Sequence, residues 1–318
     1  MTRARYPDAT GHVERGGVRV FWERYGDGEP TVLFLPTWTF IHSRCWKAQI
    51  PYLARHCRVL AFDPRGNGRS DRPNDPRLYA EREFAADALA VMDATGTERA
   101  VLVSLSKGAQ RALLLAANHP QRVTGAAFIA PFFPASPLGG MRWRIMAHPR
   151  LRPALFIRPP VAAGWMKFNG AHWRADYPDF VEWFTRRIFN VPHSTKQIED
   201  AVQWGLETDP DTLIASVAGD LAAPPTRRDQ LALAERVRCP VLVISSPHDK
   251  ITSHADAKAL AQAAGGRLVS IPEGGHCPQA RKPVAVNLAL REFVRAFSFH
   301  DGFAPASRHW HDRLRSSP

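Results

Sequence analysis

The stretch Val101-Leu-Val-Ser-Leu-Ser106-Lys-Gly-Ala-Gln110 sets a serine between a short apolar run and a helical pattern. A strand that ends and a helix that begins within one turn force the apex residue into strained backbone. The residues two before and two after must then be small. Ser104 and Gly108 hold those positions, followed by Ala109. The turn lifts the Ser106 hydroxyl above the sheet to a helix N-terminus, where amide N–H groups and the helix dipole favour a developing oxyanion. The Lys107 amide is one expected donor. A serine hydroxyl is a poor nucleophile at neutral pH and needs a base that a buried carboxylate orients. Of the 13 histidines, only His276 sits in a glycine loop (Pro272-Glu-Gly-Gly-His-Cys-Pro278) at the carboxyl end of an expected strand late in the chain. Asp249 follows the apolar run VLVIS at 241–245 through the loop Ser-Pro-His-Asp, 143 residues after Ser106 and 27 before His276.

The elements that must position these groups alternate between short β-rich runs and longer helical patterns, the signature of a mostly parallel sheet covered by helices. A hairpin is expected at 11–14 and 18–25, turning at Arg15-Gly16-Gly17. Further strands are expected at 31–35, 58–62, 100–103, 123–130, 241–245 and 267–271. Helices are expected at 43–53, 81–95, 106–118, 254–264 and 283–297. From Pro131 to about residue 237 the sequence offers no convincing strand, only helical stretches broken by proline. The expected organisation is an α/β core from 1–130 and 238–297, a helical cap inserted at 131–237, and a polar, loosely held tail at 298–318.

At the serine turn the chain resembles the α/β-hydrolase family, and the resemblance covers nearly all of residues 11–297. The family's elbow is usually G-x-S-x-G, and here Ser104 replaces the first glycine while keeping the small size. Asp63-Pro-Arg-Gly-Asn-Gly-Arg-Ser70-Asp-Arg-Pro resembles the loop after the family's fourth strand, and we read it as a shaped turn without chemistry. The family's chain order, Ser then Asp then His, implies Asp249 as the acid and His276 as the base. His248, beside the acid, points elsewhere, and the family's alternative acid position after 123–130 offers only Pro131-Phe-Phe. The resemblance also implies a second oxyanion donor after the third strand, where relatives often carry His-Gly. This chain reads Leu35-Pro-Thr-Trp-Thr-Phe40, and Pro36 has no amide to donate. Aligned by the strand, Trp38 is the expected donor, with Thr37 next.

The resemblance implies ester hydrolysis of a small molecule through an acyl-enzyme. Lactone hydrolysis, C–C bond hydrolysis, cyanohydrin cleavage, perhydrolysis and acyl transfer remain open on the same residues. Dehalogenases and epoxide hydrolases, which use an aspartate nucleophile, are disfavoured by serine at 106. A ligand receptor that keeps the fold without catalysis is the alternative of another class. No metal or organic cofactor is implied. His309-Trp-His311 could bind a metal, but a lone pair of histidines in a tail is read as incidental.

Composition bounds the rest. With 318 residues and 45% hydrophobic content there is ample material for a buried core. No apolar run spans a bilayer, and the polar N-terminus does not read as a secretory signal. Cys45, Cys57, Cys239 and Cys277 lie far apart and read as reduced thiols, which points to the cytoplasm. The formal charge is +12. Scattered arginines account for most of it, and no nucleic-acid motif accompanies them. Residues 131–175 are the exception, with Arg142, Arg144, Arg150, Arg152, Arg158, Lys167 and Arg174 and no Asp or Glu. A solvated basic face is the first reading of this stretch, an anionic substrate the second, and a membrane surface the third. The tryptophans and phenylalanines of 131–237 are expected mainly to hold the cap to the sheet, a few of them lining an apolar pocket.

Overall fold

Alternating and continuous apolar runs divide the strands into two kinds. β1 (Ala9–Arg15) alternates between exposed and partly covered positions, and β2 (Val18–Tyr25) is mostly buried, with Arg19 exposed and Trp22 and Arg24 partly covered. They pair antiparallel across a two-residue loop, Gly16-Gly17. Both loop residues have positive φ, +58° and +75°, the geometry that a tight hairpin needs and that glycine adopts without strain. By contrast β3 (Thr31–Phe34), β5 (Ala100–Leu105) and β7 (Val241–Ser245) are buried at every residue, as strands covered on both faces must be. β4 (Arg58–Phe62), β6 (Val123–Ile129) and β8 (Arg267–Ser270) complete the sheet. The computed structural model describes residues 3–134, 155–157, 159–222 and 226–297.

The eight strands run in the order β1-β2-β4-β3-β5-β6-β7-β8, parallel from β4 onward. After β3 the chain crosses to one side to form β4, and β5 then returns to the other side of β3. The loops leaving β3 and β5 therefore diverge, opening a crevice at their carboxyl ends, where ligands bind in open α/β sheets. Alternate side chains feed two cores. Leu33, Leu60, Leu102 and Val243 pack under the helices Glu81–Ala94, Gly108–Asn118 and His254–Ala263. Val32, Phe34, Val101, Val103 and Ile244 face the other way, toward Pro283–Arg295 and the aromatics of the segment between β6 and β7.

Among the described residues that segment is helical, with Gly170–Ala175, Tyr177–Ile188, Thr195–Gly205, Pro210–Ala222 and Arg227–Glu235. Phe168, Trp173, Phe180 and Phe184 form one aromatic cluster in it. The cluster meets the core at Trp38 and Phe40. Of the basic stretch, Lys167 pairs with Asp179, and Arg174 with Asp211. Arg142, Arg144, Arg150, Arg152 and Arg158 lie outside the described residues, as does the tail 298–318 with His309 and His311. No helix among the described residues is long and apolar enough to cross a membrane. All four cysteines are unbridged.

Two expectations need correction. The continuous helix at 43–53 is instead a 3-10 turn, Ser43–Trp46, and a one-turn helix, Ile50–Leu53. Pro51 lacks an N–H and starts a helix better than it continues one. The helix expected from Ser106 begins at Gly108, because the backbone at Ser106 is not helical.

Candidate active site

Ser106 adopts φ +51°, a left-handed conformation that costs a non-glycine residue energy. Backbone bonds on three sides hold it there. Its N–H donates to Ile129 O, and its carbonyl accepts from Ala109 and Phe132. The small neighbours are required by contact. Ser104 is wholly buried, with its hydroxyl donating to Ala127 O. A Cβ on Gly108 would lie 2.7 Å from the Pro36 carbonyl oxygen, against the loop that leaves β3.

From this apex a chain of hydrogen bonds runs through three side chains drawn from distant parts of the sequence. His276 Nε2 lies 3.0 Å from Ser106 Oγ. Its Nδ1 lies 2.9 Å from Asp249 Oδ2. The loop that carries the imidazole needs Gly275, at φ +60° and ψ −150°, a region closed to other residues. Asp249 is fixed in turn by the Ile251 and Thr252 amides on Oδ1 and the Thr252 hydroxyl on Oδ2. Burial pushes its carboxyl up. The facing imidazole and these hydrogen bonds outweigh that and hold it below the usual aspartate value. His276 and the Asp249 carboxyl are both shielded from water, and the serine faces a cavity.

The cavity is about 550 Å³, in the range of small-molecule sites. Ser106, Lys107, Thr37 and Trp38 meet in its wall, together with Phe132, Phe168, Phe184 and Ile188. Ser106, Lys107, Asp249, His276, Thr37 and Trp38 thus lie at one place, at the carboxyl ends of β3, β5, β7 and β8. The Asp63 loop serves as a brace. Its carboxylate accepts from the Ser43 amide and hydroxyl and from the Arg69 amide.

Spacing did not reveal a buried charge cluster behind the elbow. The Lys107 side chain does not face solvent. Its ammonium sits 3.2 Å from Glu81 and 3.1 Å from Asp220. Glu81 also binds Arg111 Nε at 3.0 Å, and Arg111 Nη1 donates to the carbonyls of Pro36 and Thr37. Burial pushes Asp220 up, and the neighbouring Glu81 charge pushes it the same way, more than Lys107 can offset. Glu81 goes down despite its burial, because Arg111 and Lys107 flank it. The four groups come from 81, 107, 111 and 220, too far apart in sequence to read as a set. Trp38 was read for its amide alone. Its indole also stacks on Phe40 and Phe168 and donates to Ser216 Oγ at 3.1 Å.

A model of the alpha/beta hydrolase fold matches residues 30–283. The chain belongs to the α/β-hydrolase family. It is 29% identical over 261 residues to a Caulobacter protein named "Putative carbamate hydrolase RutD", spanning 78% of this chain and 85% of that one. To 3-oxoadipate enol-lactonase 2 of Acinetobacter baylyi it is 24% identical over 255 residues, spanning 80% and 84%. Among solved structures it is similar to Est816, described as an N-acyl homoserine lactone degrading enzyme. The TM-score is 0.70 at 26% identity, covering 89% of this chain and all of the other. The chain is an α/β-hydrolase enzyme, and the names of its relatives are those of hydrolases and lactonases.

Proposed function

We propose that this α/β hydrolase is a serine hydrolase that cleaves a carboxylic ester bond, open-chain or cyclic, through an acyl-enzyme. One observation carries the reading: Ser106 Oγ, His276 and Asp249 form an unbroken hydrogen-bonded chain that ends at the wall of a small-molecule cavity. In this mechanism Ser106 Oγ attacks the acyl carbon as its proton passes to His276 Nε2. Asp249 holds the Nδ1–H tautomer and stabilises the imidazolium. The carbonyl oxygen, now anionic, rests on the amides of Lys107 and Trp38. His276 returns the proton to the leaving alcohol, then takes one from a water that frees the acid and restores Ser106. Residues 131–237 act as the cap, and their aromatic cluster keeps water from the attack.

The cyclic form of the substrate draws support from the lactonase names among the relatives. It needs no further group, since the alcohol simply remains tethered to the acyl chain. Labelling with a fluorophosphonate tests the reading. A Ser106 adduct in wild-type protein, lost in Ser106→Ala, is expected together with p-nitrophenyl butyrate turnover that the same variant abolishes. A folded wild-type protein that neither labels nor turns over esters and lactones would be a ligand receptor on this fold instead.

A further inference from the structure

The helix Tyr177–Ile188 buries Phe180, Val181, Phe184 and Ile188 against the aromatic cluster. Arg187 is brought by the same helix to the wall of the cavity that holds Ser106. Its guanidinium lies 5.6 Å from the centre of the Trp165 ring, another wall residue. Arg187 is half-buried, and its Nε, shielded from water, has no hydrogen-bond acceptor among the described residues. No carboxylate among the described residues comes within ion-pair distance of it. A charged donor shielded from water and left unmatched is costly, so an arginine in such a wall is suited to a ligand that supplies the acceptor.

No carboxylate among the described residues supplies it. Two of them reach this cavity, Asp249 and Asp220, and both are engaged. Asp249 holds His276, Ile251 and Thr252, and Asp220 holds Lys107. The chain between 135 and 158 adds no Asp or Glu. The rest of the wall is mainly apolar, with Trp38, Phe40, Phe132, Phe168 and Val217. An arginine fork matches a carboxylate in two parallel hydrogen bonds, and aromatic walls match an apolar body.

We propose that Arg187 is the anion-recognition residue of this pocket, and that the esters cleaved here carry a carboxylate elsewhere in the molecule, joined to the reacting carbonyl by an apolar spacer. The inference builds on the ester-hydrolase reading but can fail separately from it.

Binding and turnover test it together. By calorimetry, 4-phenylbutyrate should bind wild-type protein about tenfold to a hundredfold more tightly than its neutral isostere 4-phenylbutyramide. Arg187→Met, which keeps the stem against Trp165, should close that gap. In turnover, mono-p-nitrophenyl glutarate should exceed p-nitrophenyl valerate in kcat/KM, chiefly through KM. The ratio should collapse in Arg187→Met and persist in Arg186→Met, which removes the same charge from an exposed pair with Glu182. Equal binding of the two probes by wild-type protein overturns the proposal, whatever the esters do. So does a ratio that survives Arg187→Met, or one lost equally in Arg186→Met. Should no ester be turned over, the binding pair still decides on Arg187 while the hydrolase reading falls by itself.

Discussion

Arg111 Nη1 lies 2.6 Å from the carbonyl oxygen of Thr37, and that bond fixes the direction of the amide that follows. A trans peptide is planar, with its C=O and N–H pointing in opposite directions. Holding Thr37 O toward the buried guanidinium therefore turns the Trp38 N–H away from it. The same nitrogen holds Pro36 O at 2.8 Å and so restrains the Thr37 N–H. The departure from His-Gly in this loop thus comes with a substitute restraint. An arginine of the helix after the nucleophile grips the loop's carbonyls, and Glu81 keeps that arginine in place.

Arg111→Lys should lower kcat and leave KM nearly alone. A lysine keeps the charge beside Glu81, but a single ammonium cannot reproduce the fork that reaches both carbonyls and the carboxylate. Complete loss of an oxyanion donor costs about 10²–10³ in kcat, so a donor that is only loosened should cost about tenfold. Steady-state kinetics on a p-nitrophenyl ester decide it. A raised KM at constant kcat would show that the loop serves ground-state binding.

Gly108→Ala presses on the same loop from the other side. The added Cβ would sit 2.7 Å from Pro36 O, against backbone and the Ser104 Cβ, with no flexible side-chain end to yield. The expected result is a stability loss of about 1–3 kcal/mol together with reduced kcat. Urea unfolding and turnover measured on one preparation check both. Unaltered stability would mean that the β3 loop moves freely relative to the elbow.

Asp249→Asn should cost far more in rate than in structure. An asparagine fits the site but carries no charge to stabilise the imidazolium, and its amide N–H, donated to Nδ1, favours the wrong imidazole tautomer. Such a change lowers kcat about 10⁴-fold in serine hydrolases. Thr252→Val removes only the hydroxyl that donates to Asp249 Oδ2 at 2.7 Å and should lose about tenfold or less. Turnover near wild type in Asp249→Asn would assign the acid's role to another group.

The parts legible in the sequence were those carried by local geometry. Ser106, Asp249 and His276 each follow a strand with turn-forming or small residues, and that local pattern together with the chain order the resemblance implies pointed to all three. Strands buried on both faces stood out as short, almost continuous apolar runs. The broken segment at 43–53 did not, because its apolar spacing fits one helix while Pro51 divides it into two. The charge cluster was hidden for a different reason. Glu81 opens one helix, Arg111 lies inside another, and Asp220 ends a third, so only the packing of those helices makes them a set. Arg187 had no local signature either, being one of two adjacent arginines on a helix whose exposed face carries the other.

The last prediction concerns that cluster and acidity. Asp220 lies between Lys107, at 3.1 Å, and Glu81. Burial and the Glu81 charge push it up to about 7 from 3.8, whereas Glu81 falls below its ordinary 4.5. As pH rises through the interval between 3.8 and about 7, the unfolded chain gives up the Asp220 proton while the folded protein keeps it. Stability contributed by this group is therefore fully present at the acid end, declines across the interval, and levels off above it. The Glu81 shift acts below 4.5 and in the opposite sense, so it does not mask the effect. Asp220→Asn cannot titrate and should flatten the decline. Urea unfolding at about pH 5 and about pH 8 reads the difference. Wild-type protein should lose more stability between the two than the variant does, and parallel behaviour would mean that Asp220 ionises as an ordinary carboxylate.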